Sequence, residues 1–272
     1  MTRALLLRHV AEVPSALQSL AERLAAVARA ETLPRWRTGL EADNKDSEGS
    51  WDPVTEADRG SERAMRTLLE AEEPSHGVDG EEFPSRPAQG RFRWSLDPID
   101  GTRAFVCGFP TWTTLIALLD DDRPVLGIID APALDELYLG TPGGSALIQA
   151  AHRVPLQSSG CLTLPQARVS TTDPFLFDAA GQEAFGQVRA AARTIRYGFD
   201  AYAYARLAAG SIDLVIESGL KTYDYHALIP VVRGAGGTFG DWYGGEDYRD
   251  GKVIAAASRK LYDAAVEIMS AA

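Results

Sequence analysis

Residues 91–105, RFRWSLDPIDGTRAF, join a strand pattern to an acidic turn. Apolar and polar residues alternate from Phe92 to Leu96, which predicts a strand that ends at Asp97. Asp97 and Asp100 flank a Pro-Ile pair, so both carboxylates lie on a tight turn and not on one helix face. Both carboxylates and the Ile99 carbonyl can therefore reach one point just beyond the strand. Hard divalent cations such as Mg²⁺ take oxygen ligands of this kind.

The residues that follow this turn suit an anion. Gly101 permits a close approach to the backbone. If a helix begins here, the N–H groups of Gly101 and Thr102 lack partners within the helix and can point at a phosphate. Taken alone, the DPIDGT turn is equally well explained as an ordinary loop, because Asp-Pro and Asp-Gly pairs are common in turns.

Composition excludes several classes of protein. The 272 residues suffice for one large domain or two packed ones. An excess of 38 acidic over 27 basic residues gives a net charge of −11, so nucleic acid and anionic membranes are not expected partners. Cys107 and Cys161 alone cannot form a disulfide scaffold or a four-ligand zinc site. The N-terminal apolar run is a poor secretion signal, and residues 104–119 are too short and polar to span a bilayer, which predicts a soluble cytoplasmic protein.

The hydrophobic pattern divides the chain into two halves, at about residues 1–150 and 151–272. For the first half it predicts helices at 13–28 and from 55, loops at 41–53 and 73–91, and a meander of strands at 92–97, 111–119, 124–129, 136–139 and 146–149. For the second half it predicts strands at 168–171, 212–216 and 253–256 and helices at 201–209, 224–233 and 259–269. An α+β half with an antiparallel sheet is thus expected to pack against an α/β half.

Three further acidic motifs each have a simple local explanation. The residues from Thr55 to Asp58 fit a capping box that only starts a helix. The run Gly80-Glu81-Glu82 fits a solvated acidic loop, and Tyr223-Asp224 fits the N-cap of the next helix. None of these motifs is specific by itself, and their combination carries the signal.

Four motifs together resemble the motif set of the inositol monophosphatase-like family. In chain order they are DPVTEAD (52–58), GEE (80–82), WSLDPIDGTRAF (94–105) and YDYHAL (223–228). The resemblance covers about residues 45–257. It implies a layered α/β/α/β/α sandwich and a metal-dependent, lithium-sensitive phosphatase. Three longer stretches are most similar to the histidinol-phosphatases of this family: FVCGFPTWTTLIALL, PVLGIIDAP and GLKTYDYHALIPVV. Tyr223 suits that group, whereas Arg233 and His226 depart from the usual family pattern, and packing or surface roles are expected for both.

The resemblance also implies roles for individual residues. The ligands of two Mg²⁺ ions, with Asp97 shared between them, correspond to Glu81, Asp97, Ile99, Asp100 and Asp224. A third, more weakly bound ion is expected near Glu81. Thr102, hydrogen-bonded to Asp58, and Glu81 are expected to position the attacking water and accept its proton. Gly101 and Thr102 are expected to bind the phosphate. Clustered carboxylates repel one another, and cations relieve that cost.

Glu217 and Asp200 are the candidate substrate-binding residues. Two acids that face the leaving group would suit a cationic amino alcohol such as histidinol better than a neutral polyol, although Asp200 fits a helix N-cap equally well. The resemblance therefore favours a histidinol-phosphatase of histidine biosynthesis that acts as a homodimer on a small phosphorylated substrate. The alternatives are an inositol-1-phosphatase, a 3′-nucleotidase, and a catalytically silent metal-binding regulator. The complete set of acidic motifs argues against the silent regulator.

Overall fold

The computed structural model describes residues 12–39, 42–44, 53–150 and 152–272. In the predicted loop at 41–53, residue 41 and residues 45–52, which include Asp52 of the first motif, lie outside this range. The α-helices of the described chain are α1 (Ser15–Thr32), α2 (Glu56–Glu72), α3 (Thr102–Val106), α4 (Ala179–Ala191), α5 (Tyr202–Ala208), α6 (Thr222–Tyr225), α7 (Leu228–Gly234) and α8 (Arg259–Met269). We find among them none with the length and apolar content that crossing a membrane requires.

The strands form two large sheets and one short pair. The short pair consists of β1 (Asp43–Asn44) and β2 (Pro53–Val54). The seven-stranded sheet contains, in spatial order, β3 (Gly77–Gly80), β4 (Phe92–Asp100), β5 (Thr113–Asp120), β6 (Arg123–Ala131), β7 (Glu136–Thr141), β8 (Gly144–Gln149) and β9 (His152–Pro155). The five-stranded sheet contains β10 (Arg168–Thr171), β11 (Thr194–Tyr197), β12 (Leu214–Glu217), β13 (Thr238–Asp241) and β14 (Val253–Ala256), in the order β11-β10-β12-β14-β13.

These elements stack in five layers, as the resemblance implies. Helices α1 and α2 pack together on one face of the seven-stranded sheet, over a core that includes Leu24, Met65 and Trp94. Helices α5 and α7 fill the space between the two sheets, around Tyr204 and Val232. Helices α4 and α8 cover the outer face of the five-stranded sheet. The meander β4–β8 is antiparallel throughout, as predicted for this series of strands joined by short turns.

Helix α7 lies directly on the backbone of β6 and β7. A Cβ atom at Gly127 would lie 2.0 Å from the Ala227 carbonyl oxygen, and one at Gly140 would lie 2.3 Å from the Val231 Cα. Only glycine leaves room for this approach. The two glycines therefore set the distance at which the segment that carries Asp224 meets the sheet.

Two sequence-based predictions are wrong in detail. The predicted loop at 73–91 contains β3, which pairs parallel with β4 and has no alternating pattern to reveal it. The single helix predicted at 224–233 is two helices, α6 and α7. Pro230 has no N–H to donate to the carbonyl of His226, four residues earlier, so the helix is interrupted there and α7 begins two residues before the proline.

Candidate active site

Asp97 and Asp100 lie in the last residues of β4, at one end of the seven-stranded sheet. The strand therefore continues through the irregular segment to Asp100 and does not end at Asp97, as the sequence pattern predicted. The ladder between β4 and β5 shifts register between the two aspartates, where Pro98 cannot donate a hydrogen bond. The side chain of Asp97 is buried, and its Oδ1 accepts a hydrogen bond from the Ile99 N–H at 3.1 Å. The Thr114 hydroxyl donates to the Pro98 carbonyl at 2.8 Å and holds the turn from the neighbouring strand.

Helix α6 brings Asp224 to the same edge. Its Oδ2 accepts a hydrogen bond of 2.6 Å from the Lys221 N–H and closes the helix start. One residue beyond α6, the His226 Nδ1 lies 3.1 Å from the Ser95 hydroxyl on β4, and this contact ties the helix to the strand that carries Asp97. Carboxylate oxygens of Asp97, Asp100 and Asp224 all lie within 4.8 Å of one another.

Glu81 joins this cluster from β3. Its N–H donates to the Leu96 carbonyl at 3.2 Å, which continues the parallel pairing of β3 and β4 by one residue. The charge of Glu81 raises the pKa of Asp97, which shows that the two carboxyl groups lie close together. The structure thus brings together the four acidic residues that the sequence motifs single out.

The electrostatics of this cluster favour a cation. Burial, and then the charges of Glu81, Asp100 and Asp224, raise the pKa of Asp97 well above its usual range. Burial, together with the charges of Asp200 and Asp224, does the same to the pKa of Asp100. Mutual repulsion destabilises carboxylates that are crowded in this way unless protons or metal ions neutralise them. The all-oxygen donor set fits a hard divalent ion such as Mg²⁺.

Gly101 and Thr102 form the start of α3, as expected for a phosphate-binding turn. Gly101 adopts a positive φ of 79°, which L side chains rarely adopt, and α3 begins at Thr102. The N–H groups of both residues precede the first hydrogen bond of the helix.

The predicted hydrogen bond between Thr102 and Asp58 is not formed. The Thr102 hydroxyl donates instead to the Ile99 carbonyl at 3.0 Å, because a threonine at a helix start readily reaches the carbonyl three residues earlier. Asp58 completes the capping box of α2, where its Oδ2 accepts from the Thr55 N–H at 2.8 Å and from the Thr55 hydroxyl at 2.6 Å. Its buried Oδ1 has no hydrogen-bond partner among the described residues. Burial raises the pKa of Asp58 to about 6.

Asp200 and Glu217 line the cleft of about 270 Å³ that opens beside the acidic cluster. Asp200 lies directly over Gly101, where a Cβ would be 3.0 Å from its Oδ2, and the Ala201 N–H donates to Asp100 at 2.7 Å. Burial raises the pKa of Asp200 to about 6, opposed by the positive charge of Arg103. Helix α5 starts two residues after Asp200, and no side chain caps that helix by a hydrogen bond.

Glu217, at the end of β12, is buried and held by hydrogen bonds. Its Oε1 accepts from the Thr172 N–H at 2.7 Å and from the Thr172 hydroxyl at 3.0 Å, and its Oε2 accepts from the Thr171 hydroxyl at 3.2 Å. Burial raises its pKa to about 8. Burial therefore shifts this carboxyl group toward its protonated form near neutral pH.

Sequence analysis missed several residues that line the cleft, among them Arg103 and Tyr204. Arg103 lines it one residue after the phosphate-binding turn, and Tyr204 lines it from α5. The Tyr204 hydroxyl is buried without a hydrogen-bond partner in the described part of the chain. Only the position of Arg103 beside the DPIDGT motif offered a signal in the sequence. Arg233, by contrast, is exposed and does not line the cleft. It donates to the Phe239 carbonyl at 2.9 Å and pairs with Glu246, in agreement with the expected packing or surface role.

Comparison with known proteins gives a consistent result over nearly the whole chain. The model of the inositol monophosphatase family matches residues 14–272. The chain is 44% identical over 194 residues to the chloroplastic bifunctional phosphatase IMPL2 of Arabidopsis thaliana, covering 71% of this chain and 55% of that protein. It is 34% identical over 210 residues to the histidinol-phosphatase of Chlorobaculum parvum, covering 77% of this chain and 80% of that protein. Among solved structures, an inositol monophosphatase from Zymomonas mobilis superposes with a TM-score of 0.84 at 40% identity, covering 95% of this chain and 99% of that one.

Proposed function

Because the chain belongs to the inositol monophosphatase family, we propose that it is a Mg²⁺-dependent phosphomonoesterase whose preferred substrate is L-histidinol phosphate. The observation that carries this proposal is the convergence of the oxygens of Asp97, Asp100 and Asp224 within 4.8 Å beside a cleft that two further acids line. The products are L-histidinol and inorganic phosphate.

Glu81, Asp97, the Ile99 carbonyl, Asp100 and Asp224 are the proposed ligands of two Mg²⁺ ions, with a third held more weakly near Glu81. When bound, the ions supply Lewis acidity and offset the negative charge of the phosphoryl group. The Ile99 carbonyl already accepts from Thr102, and its second lone pair stays available.

The chain's own residues orient the reaction and move the proton. The N–H groups of Gly101 and Thr102 bind the phosphoryl oxygens. Glu81 positions the attacking water, and the Thr102 hydroxyl sets its direction. Glu81 also accepts the proton of this water.

The choice of substrate depends on Asp200 and Glu217. A cationic amino alcohol placed in the cleft would favour their charged forms and would lower their pKa values. A neutral polyol would gain nothing from these charges. The histidinol-phosphatase name of the Chlorobaculum parvum relative agrees with this choice.

An inositol-1-phosphatase is the second candidate, since the inositol monophosphatase from Zymomonas mobilis is 40% identical to the chain. A 3′-nucleotidase and a silent regulator are less well supported. A regulator would have no chemical need for the complete acidic set. Assembly as a homodimer stays a prediction that analytical ultracentrifugation tests.

The deciding experiment compares phosphate release from histidinol phosphate and inositol 1-phosphate in Mg²⁺, with Asp97→Asn as the inactive control. We expect kcat/KM to be at least about a hundredfold higher for histidinol phosphate, or about 2.7 kcal/mol of differential transition-state binding. We also expect Glu217→Gln to raise KM for histidinol phosphate but not for inositol 1-phosphate. Similar turnover of both esters would remove the histidinol assignment and leave the phosphatase. No release from either, by folded protein with Mg²⁺ bound, would favour the silent regulator.

A further inference from the structure

Glu62 on α2 is a buried carboxylate outside the proposed metal-ligand set, and its side chain is 0% exposed. Its Oε1 accepts a hydrogen bond of 2.7 Å from the Arg66 Nε, one helical turn further along. Its Oε2 accepts a hydrogen bond of 2.7 Å from the N–H of Glu82. A charge this deeply buried is costly unless it is paired and hydrogen-bonded, and Glu62 is both.

The partners of Glu62 and Arg66 lie on both sides of Glu81 in the chain. On the N-terminal side, Gly80 lies against the Glu62 carboxylate so closely that a Cβ there would be 2.0 Å from Oε1. On the C-terminal side, Glu62 receives the Glu82 N–H, and Arg66 donates to the Phe83 carbonyl at 3.0 Å. The main chain around Glu81 is thus contacted from the side of α2 at three points, at Gly80, Glu82 and Phe83.

The opposite side of this segment is held by the sheet, through the hydrogen bond from the Glu81 N–H to the Leu96 carbonyl. β3 is only four residues long and lies at the edge of its sheet. Apart from its pairing with β4, it has a bridge to Arg86 from Val78, which lies three residues before Glu81, and this bridge supports the first half of the strand. We propose that Glu62 and Arg66 are positioning residues that fix the Glu81 carboxylate against Asp97 and thereby set the affinity for Mg²⁺. This inference depends on the proposed function through the role of Glu81 as a metal ligand.

Groups that orient metal ligands without touching the metal commonly change metal affinity about 10- to 100-fold when they are removed. For Glu62→Ala we therefore expect Mg²⁺ binding, measured by isothermal titration calorimetry on the full chain, to weaken at least about tenfold. Glu62→Gln keeps an oxygen for the Glu82 N–H and should recover part of this loss. With Glu62→Ala, the Mg²⁺ concentration for half-maximal phosphatase activity should rise by the same factor, while kcat at saturating Mg²⁺ falls less.

Asp213 offers a matched control in the other sheet. It is also buried, and its Oδ2 accepts from an arginine Nε at 2.8 Å and from a main-chain N–H at 2.7 Å, both of Arg168. It precedes β12, whose other end carries Glu217 at the cleft. Asp213→Ala should lower the Tm without a change in Mg²⁺ affinity, which separates positioning from general stability.

The outcomes distinguish this inference from the proposed function. If the parent protein binds no Mg²⁺, the proposed function fails. If the parent binds Mg²⁺ and folded Glu62→Ala binds it within twofold as tightly, the positioning role is wrong. Should Glu62→Ala fail to fold, Gly80→Ala gives the second test, because its methyl group must displace the Glu62 carboxylate. Unchanged Mg²⁺ affinity in folded Gly80→Ala would likewise overturn the inference.

Discussion

Replacing Asp97 by asparagine should stabilise the metal-free protein while it removes the response to Mg²⁺. Two ionised carboxylates within 4.8 Å of each other repel by at least about 3.5 kcal/mol at an effective dielectric constant of about 20. Protonation relieves part of this repulsion, so we expect a gain of about 1–3 kcal/mol at pH 8. An asparagine Oδ1 can still accept the hydrogen bond from the Ile99 N–H that Asp97 accepts.

The sign of the pH dependence follows from the raised pKa of Asp97. The native metal-free protein holds more protons than the unfolded chain once the pH exceeds about 4, so its stability falls as the pH rises. The advantage of Asp97→Asn should therefore be largest at pH 8 and should vanish near pH 4. Mg²⁺ at a hundred times its Kd should stabilise the parent by about 2.7 kcal/mol. The variant should gain much less, and its phosphatase activity should fall about 10²- to 10³-fold or more.

Thermal unfolding at pH 4 and pH 8, with and without Mg²⁺, measures these effects. Asp241→Asn is the control, because this buried carboxylate accepts main-chain N–H bonds on both oxygens, away from the acidic cluster. It should lose about 1–3 kcal/mol in all conditions and keep the Mg²⁺ response. If metal-free Asp97→Asn is less stable than the parent at pH 8, repulsion within the cluster is not the dominant effect.

Two more predictions concern stability. Because the pKa of Glu217 is raised to about 8, the stability of the parent protein should fall as the pH rises from about 4.5 to 8. The Tm of Glu217→Gln, measured relative to that of the parent, should therefore increase from pH 5 to pH 8. An unchanged Tm difference would refute this prediction. Gly127→Ala should lower the free energy of unfolding by about 1–3 kcal/mol or more, since its methyl group would collide with the Ala227 carbonyl. Gly186→Ala on α4 is the control, because a Cβ there meets no atom within 4 Å, and it should stabilise the protein by about 0.5–1 kcal/mol. Denaturant titration measures both changes. An equal loss of unfolding free energy in the two variants would contradict the close-packing argument.

Local sequence patterns were sufficient for much of the fold. Strand β10 and helix α8 have the predicted bounds, and the Thr55–Asp58 motif forms the expected capping box. The pattern failed where stability comes from distant partners. Strand β3 has two glycines and no alternation, and it exists because β4 pairs with it. Helix α4, rich in alanine and glycine, was not predicted, because its apolar face becomes evident only against Phe177 and Trp242.

The sequence by itself determined the chemistry of the protein. The acidic motifs, their order and the strand before Asp97 indicate oxygen ligands for a divalent cation and the family to which the chain belongs. These features are local or depend only on residue type, so no knowledge of folding is needed to recognise them. The identity of the carboxylates that share a site was also available, through the resemblance.

Only the tertiary structure decided how these groups are held and charged. The raised pKa of Glu217 depends on burial, and the contacts of Glu62 with the segment around Glu81 join residues far apart in sequence. A carboxyl group's pKa and partners are set by the atoms that the fold brings around it and by the water that the fold removes. A sequence shows where a carboxylate stands in the chain. Only the packing around it determines whether it binds a metal, caps a helix or positions another residue.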